Sequence, residues 1–98
     1  MAEYQITSWR DIPSMVTARE GADVTKIQLA PRFQEAIDEA AMRLGEVGRD
    51  DYLAGWTHSE WATAEGDHSH VAAAVAEQLE DAWTSARIAD YLNGLGSS

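Results

Sequence analysis

The sequence predicts an α+β fold, in which a small antiparallel sheet of three or four strands packs against helices. The hydrophobic periodicity of two parts of the chain supports this prediction. Apolar and polar residues alternate in the first thirty positions, and from Pro31 the apolar residues recur at helical spacing. A second helical region follows residue 69. With 98 residues, the chain is long enough for one modest hydrophobic core, so we expect a single domain over 1–98.

The first third of the chain predicts three strands, over about 4–9, 14–19 and 24–29. Alternation in a β-branched and aromatic context indicates the first strand, which ends at Trp9. Pro13 has no N–H, so we expect it to limit the pairing that follows. Residues 20–23 have the length and composition of a hairpin loop. We therefore expect a small antiparallel meander.

The segment 31–44 is predicted to be a helix with one apolar face. Proline at the first helical position and Gly45 just past the end are the expected boundaries. The face contains residues at spacings of three and four: Phe33, Ile37, Ala40, Ala41 and Leu44.

The segment 50–56 is typical of a short helix opened by Asp50 or Asp51. The stretch that follows it has two interpretations. Thr57 with Glu60 is compatible with a capping box, whereas the alternation around Trp61 favours a short edge strand over 59–64. We favour the strand.

The region after residue 69 predicts two helices, over about 69–83 and 85–93. The apolar stripe that contains Leu79 and the one that contains Ile88 differ by roughly 180° at 100° per residue. Because a straight helix could not bury both stripes, we expect a bend with an N-cap at Thr84 or Ser85. Asp67 or Ser69 should open the first helix, and the tail 93–98 should fray.

The composition excludes several classes of site and partner. No cysteine is present, which excludes disulfides, Cys-ligated zinc and a thiol nucleophile. A net charge of −10, with seven scattered basic residues, argues against nucleic acid and anionic membranes as partners. The N-terminus lacks the features of a signal peptide, and no apolar run is long enough to span a membrane. We therefore expect a cytoplasmic protein whose partner is another protein.

Three histidines, His58, His68 and His70, fall within thirteen residues and are interleaved with carboxylates. Imidazole and carboxylate groups are ligands for transition metals, but this spacing matches no helical metal motif. His68 and His70 would point about 200° apart on a helix. Exposed histidines near a helix N-terminus are the simpler interpretation, and we expect no cofactor.

No catalytic motif is present: the sequence contains no nucleophile elbow, no P-loop and no dinucleotide-binding glycine pattern. We therefore expect a protein that is not an enzyme.

Its four tryptophans leave two interpretations open. They are core anchors, or at least one contributes to an exposed apolar patch for a partner.

Three segments carry a family resemblance: WRDIPSMV, LAPRFQEAIDEAAMRLG and DDYLAGW. Together they resemble the small bacterial family called virulence factor, which is also similar to the C-terminal part of conserved virulence factor C. The similarity covers roughly residues 4 to 80. Family members tend to have a more basic second hairpin strand than REGADVTK. The resemblance brings no catalytic residues, and the genomic setting of such genes implies an accessory role near folate- or corrinoid-linked one-carbon enzymes.

These observations support three hypotheses from different classes. The first is a non-catalytic accessory domain that docks onto a larger enzyme. The candidate interaction surface for that role comprises Trp9, Arg10, Asp11, Arg32, Phe33 and Trp56. The second is a small metal- or ligand-binding protein that uses the three histidines, and the third is a homodimer whose apolar face is its own interface.

Overall fold

The computed structural model describes residues 1–45 and 48–95 of the chain. Its architecture is α+β, as predicted: helices cover one antiparallel sheet. In chain order the elements are β1 (Ala2–Trp9), β2 (Ile12–Glu20), β3 (Asp23–Gln28), α1 (Pro31–Arg43), α2 (Arg49–Ala54), β4 (Trp56–His58), β5 (Ala62–Ala64), α3 (His68–Ala82) and α4 (Ser85–Gly94).

The sheet has the strand order β3-β2-β1-β4, and β5 also pairs with β1. Register places Ile6, Val16 and Ile27 side by side, so these apolar residues lie on one face. Helix α3 packs against β1, β2 and β3. The neighbouring row, Gln5 with Thr17 and Lys26, lies on the opposite, polar face.

Strand β1 ends at Trp9, as predicted, but β2 begins at Ile12, two residues earlier than expected. The expectation that Pro13 limits pairing is correct only locally, because β2 includes Pro13 and continues beyond it. Register shifts at this point, because Ser8 faces Pro13 while Thr7 faces Met15. A proline is tolerated at such a bulge, where the ladder is already interrupted, so the strand continues across it.

The predicted edge strand over 59–64 is only partly correct. The chain pairs with β1 twice, through β4 and again through β5. Between them, Ser59 holds the chain to Ile6: its N–H donates to the Ile6 carbonyl at 2.9 Å, and its Oγ accepts from the Ile6 N–H at 2.8 Å. Thr57 lies in β4, so it does not cap a helix.

Helix α1 matches its prediction closely. Pro31 is at its start, Leu44 is its C-cap, and Gly45 follows with a φ of +72°. That left-handed conformation is one that glycine adopts without steric cost. The buried face of the helix comprises Phe33, Ala36, Ile37, Ala40 and Ala41.

Helix α2 is shorter than the predicted 50–56 and starts earlier. Its N-cap is Gly48, and Asp50 and Asp51 lie in the first turn. It ends at Ala54, and the backbone of Gly55 packs directly against the Trp9 ring, where a Cβ would lie 2.5 Å from Nε1. The residue after the helix is therefore fixed by a core contact.

The predicted break between two C-terminal helices is confirmed. The Asp67 side chain accepts from the His70 N–H at 2.8 Å, and the Thr84 hydroxyl accepts from the Arg87 N–H at 3.2 Å. Each helix therefore begins with a side-chain cap. Helix α4 extends to Gly94, so residues 93–94 of the tail expected to fray are helical, and residues 96–98 lie outside the described residues.

Candidate functional site

Trp9 lies in the hydrophobic core and has no exposed surface. Its indole N–H donates to the Tyr52 carbonyl at 2.7 Å, and the two rings stack with centroids 5.8 Å apart. Phe33 is also buried, at 1% exposure. The prediction that Trp9 and Phe33 belong to the interaction surface is therefore corrected, because a fully buried ring cannot contact a partner. Both rings instead support the exposed residues next to them.

The turn between β1 and β2 presents Arg10 and Asp11 to solvent. Arg10 has a left-handed backbone with a φ of +53°, which non-glycine residues rarely adopt. Its N–H donates to the Gly55 carbonyl at 2.8 Å, and its guanidinium lies 5.5 Å from the Trp9 ring centroid. The buried indole and the residue that follows α2 therefore hold the turn on its side facing the core.

Trp56, the last member of the predicted surface, is half-buried. It is paired with Trp9 in the sheet register and meets Tyr52 edge-on at 6.1 Å. It therefore belongs to the aromatic layer that supports the turn.

Arg32 connects the start of α1 to the end of α3. Its Nη2 donates to the Glu80 carbonyl at 2.9 Å, and its Nε donates to the Trp83 carbonyl at 3.4 Å. Its Nη1 lies 3.9 Å from a carboxylate oxygen of Glu80. The guanidinium therefore binds the carbonyl end of α3, where positive charge is favoured by the helix dipole.

Three residues that the sequence analysis missed complete this region. Trp83 and Tyr91 meet edge-on with centroids 5.6 Å apart, and the Arg87 guanidinium lies 4.4 Å from the Trp83 ring centroid. Arg87 also donates to the Ala82 carbonyl at 2.9 Å. Arg87 and Tyr91 are four residues apart in α4, and this spacing could have found them because it places both side chains on one side of the helix. Trp83 lies at the break between α3 and α4, and no local spacing predicts its contact with them.

Tyr91 joins this aromatic group to the turn, because its hydroxyl donates to Asp11 Oδ2 at 3.2 Å. The contacts thus run from Arg32 through Trp83 and Tyr91 to the β1–β2 turn. We call this surface the arginine corner. It comprises Arg10, Asp11, Arg32, Trp83, Arg87 and Tyr91.

The environment of Tyr91 favours its neutral form. Burial raises the pKa of the phenol above its ordinary value, and the negative charge and hydrogen bond of Asp11 raise it further. The nearby Arg10 charge acts in the opposite direction. The phenol therefore remains a hydrogen-bond donor to Asp11 under neutral conditions.

The three histidines do not form a common site. His58 shares a hydrogen bond of 3.0 Å with Thr7, and His68 shares one of 2.5 Å with Thr25. The His70 ring lies beside Gly66, where a Cβ would come within 3.1 Å of Cδ2 of the ring. Within residues 1–45 and 48–95, no three His, Asp or Glu side chains come together as a set of metal ligands. The histidine hypothesis therefore has no ligand set in this part of the chain.

A family model described as Virulence factor matches residues 7–91. The chain belongs to the virulence factor family. This confirms the resemblance expected from the three sequence segments, and the match includes both ends of the arginine corner, from the β1–β2 turn to Tyr91. Comparison with curated proteins and with solved structures gives no match. Among the described residues, every helix is too short or too polar to cross a lipid bilayer.

Proposed function

We propose that this member of the virulence factor family is a non-catalytic accessory domain that binds another protein through the arginine corner. The observation that supports the proposal is the composition of this surface, in which arginine, tryptophan and tyrosine are in mutual contact. These three residue types are the ones enriched among the residues that dominate the energy of protein–protein interfaces. Arg87 is exposed, and Trp83 and Tyr91 are half-buried, so each retains surface for a partner.

The charge distribution supports the same proposal. The chain has seven basic residues against seventeen acidic ones, and three of the seven belong to the corner. Such a concentration of guanidinium groups in an acidic protein would orient it toward an acidic surface on a partner. Each guanidinium has five N–H donors, and Arg87 uses one of them for the Ala82 carbonyl. Its remaining donors suit carboxylates.

The corner is also held in place before binding. Two capped helices, the β1–β2 turn and the carbonyl end of α3 are tied together by Arg32 and by the Tyr91–Asp11 hydrogen bond. Preorganised side chains lose less conformational entropy on association. A partner would therefore meet a surface whose aromatic rings already have their bound orientation.

The partner that we propose is a larger enzyme of folate- or corrinoid-linked one-carbon metabolism. The support for this step is the family membership together with the accessory role that the resemblance implies. In this role the domain contributes binding surface and no reacting group.

The proposal is tested by native co-purification from the host, followed by intact-mass analysis and identification of the bound protein. Arg87→Glu reverses a corner charge, and Arg49→Glu makes the same change at the start of α2, outside the corner. We expect a stoichiometric partner with the wild type and Arg49→Glu, and at least a tenfold loss with Arg87→Glu.

Two results would overturn the proposal: a monomer with no partner under gentle extraction, or equal retention by both variants. Light scattering on the purified chain distinguishes the homodimer hypothesis from binding to a different protein. A dimer that persists in Arg87→Glu would not use the arginine corner. An enzyme outside one-carbon metabolism as the bound protein would refute only the identity of the partner.

A further inference from the structure

A second surface feature lies at the other end of β1, where β5 and α3 form a groove of about 220 Å³. Its floor is apolar and comes from Val71, Ala74 and Val75, on one side of α3. Tyr4 and Ala64 form the sheet side. The groove shares no lining residue with the arginine corner.

Polar side chains surround this floor without partners of their own. Glu65, His70 and Gln78 line the groove together with Tyr4. Among the described residues, none of these four side chains has a hydrogen-bond or ion-pair partner within the protein, and Glu65, His70 and Gln78 are exposed to water. The His70 ring lies beside Gly66, which has a φ of +110°, and a Cβ at that position would lie 3.1 Å from Cδ2 of the ring. A few polar groups around an apolar floor can fix the orientation of a ligand that binds there.

The charge of the groove favours a cation. Its lining includes the Glu65 carboxylate and contains neither lysine nor arginine. Helix α3 carries Glu77 and Asp81 and contains neither lysine nor arginine. In a chain of net charge −10, the potential at this site attracts positive charge.

The shape and chemistry of the groove favour guanidinium over ammonium. An arginine side chain has an apolar stem that suits the Val71 and Val75 floor. Its planar head can stack on the Tyr4 ring and donate two hydrogen bonds to the Glu65 carboxylate. Guanidinium is also less strongly hydrated than ammonium, so it loses less on leaving water.

We propose that the groove between β5 and α3 binds an arginine side chain presented by a protein partner. This inference rests on the proposed function, namely that the chain binds another protein. Glu65 pairs with the guanidinium, and Tyr4 stacks on it. The groove thus provides a second contact for the partner, far along β1 from the arginine corner.

The test is an NMR titration of the full chain with N-acetyl-arginine amide at constant ionic strength. The neutral analogue N-acetyl-citrulline amide, which has the same shape, is the matched ligand. We expect saturable shifts of the backbone amides of Glu65, His70, Val71 and Ala74 with the arginine compound. The citrulline compound should bind at least tenfold more weakly.

Two pairs of variants distinguish binding in the groove from general attraction of a cation to an acidic protein. Glu65→Gln should weaken binding about tenfold, which is equivalent to about 1.4 kcal/mol, because the guanidinium loses its anionic partner. Glu60→Gln removes the same charge from the neighbouring exposed loop and should leave binding unchanged. Tyr4→Phe should retain binding, whereas Tyr4→Leu should weaken it severalfold.

Equal shifts with citrulline, or an effect of Glu60→Gln as large as that of Glu65→Gln, would overturn the inference. The result of this titration does not depend on the arginine corner. If the groove fails this titration while Arg87→Glu still abolishes co-purification, the proposed function stands and the groove inference fails. If arginine binds but no partner co-purifies, the proposed function fails.

Discussion

Gly55→Ala tests whether the contact between α2 and Trp9 holds the β1–β2 turn. The φ of Gly55 is −76°, which alanine adopts without strain, so the cost of the change is steric. The new Cβ would lie 2.5 Å from Nε1 and 2.6 Å from Cε2 of Trp9. Ordinary carbon contacts are about 3.5–4.0 Å, so the ring or the α2 segment must move by about 1 Å.

The expected loss of stability follows from the two interactions that this movement disturbs. Overpacking a buried ring costs roughly 1–3 kcal/mol. Weakening the hydrogen bond between the Trp9 indole and the Tyr52 carbonyl, 2.7 Å long, adds about 1 kcal/mol. We therefore expect the free energy of unfolding to fall by about 2–4 kcal/mol, which lowers Tm by roughly 10–25 °C in a domain of this size.

The measurement is chemical and thermal denaturation followed by circular dichroism, with tryptophan fluorescence as a second probe. Gly94→Ala is the matched control, because a Cβ at Gly94 meets nothing within 4 Å and the residue lies in α4. It should be neutral or stabilise the protein by up to about 1 kcal/mol. If Gly55→Ala unfolds at the same temperature as Gly94→Ala, the packing of Trp9 against Gly55 does not support the turn.

Two further predictions concern α4 and its link to the turn. Because burial and Asp11 raise the pKa of Tyr91, its phenol should ionise at a higher pH in the folded than in the unfolded chain, and Asp11→Asn should lower that pH. The stability that Tyr91 contributes should thus be present below the ordinary tyrosine pKa of about 10 and be lost as pH rises through the raised value, which denaturation of the wild type and Tyr91→Phe across this range would measure. An unchanged Tyr91 titration in Asp11→Asn would contradict this coupling. Thr84→Ala removes the N-cap of α4 and should cost about 1 kcal/mol, with faster hydrogen exchange in the first turn of α4 and not in α3. Equal acceleration in both helices would show that the two are one cooperative unit.

The parts of the fold that local sequence determines could be predicted. Helix α1 follows from its own periodicity and its terminal proline and glycine, and the break at Thr84 follows from the change of apolar phase. Both signals lie within about ten residues. Strand β1 ends at Trp9 as expected, because alternation alone is enough to place that boundary.

Features that depend on distant contacts could not be predicted. Strands β4 and β5 have three residues each and exist because β1 offers them an edge, with Ser59 bridging the gap. The arginine corner depends on the contact between Asp11 and Tyr91, which are 80 residues apart. The burial of Trp9 likewise depends on α2, whose position no local pattern defines.

The central place of β1 in the sheet has a consequence for vectorial synthesis. Strand β1 emerges from the ribosome shortly before β2, which pairs with one of its edges, but its other edge stays unpaired until residues 56–64 emerge. Open strand edges are templates for pairing with other chains. Until then the nascent hairpin also lacks Tyr52, the hydrogen-bond partner of the Trp9 indole. During synthesis the exposed edge of β1 therefore depends on residues 52–64, which emerge later, for protection from aggregation.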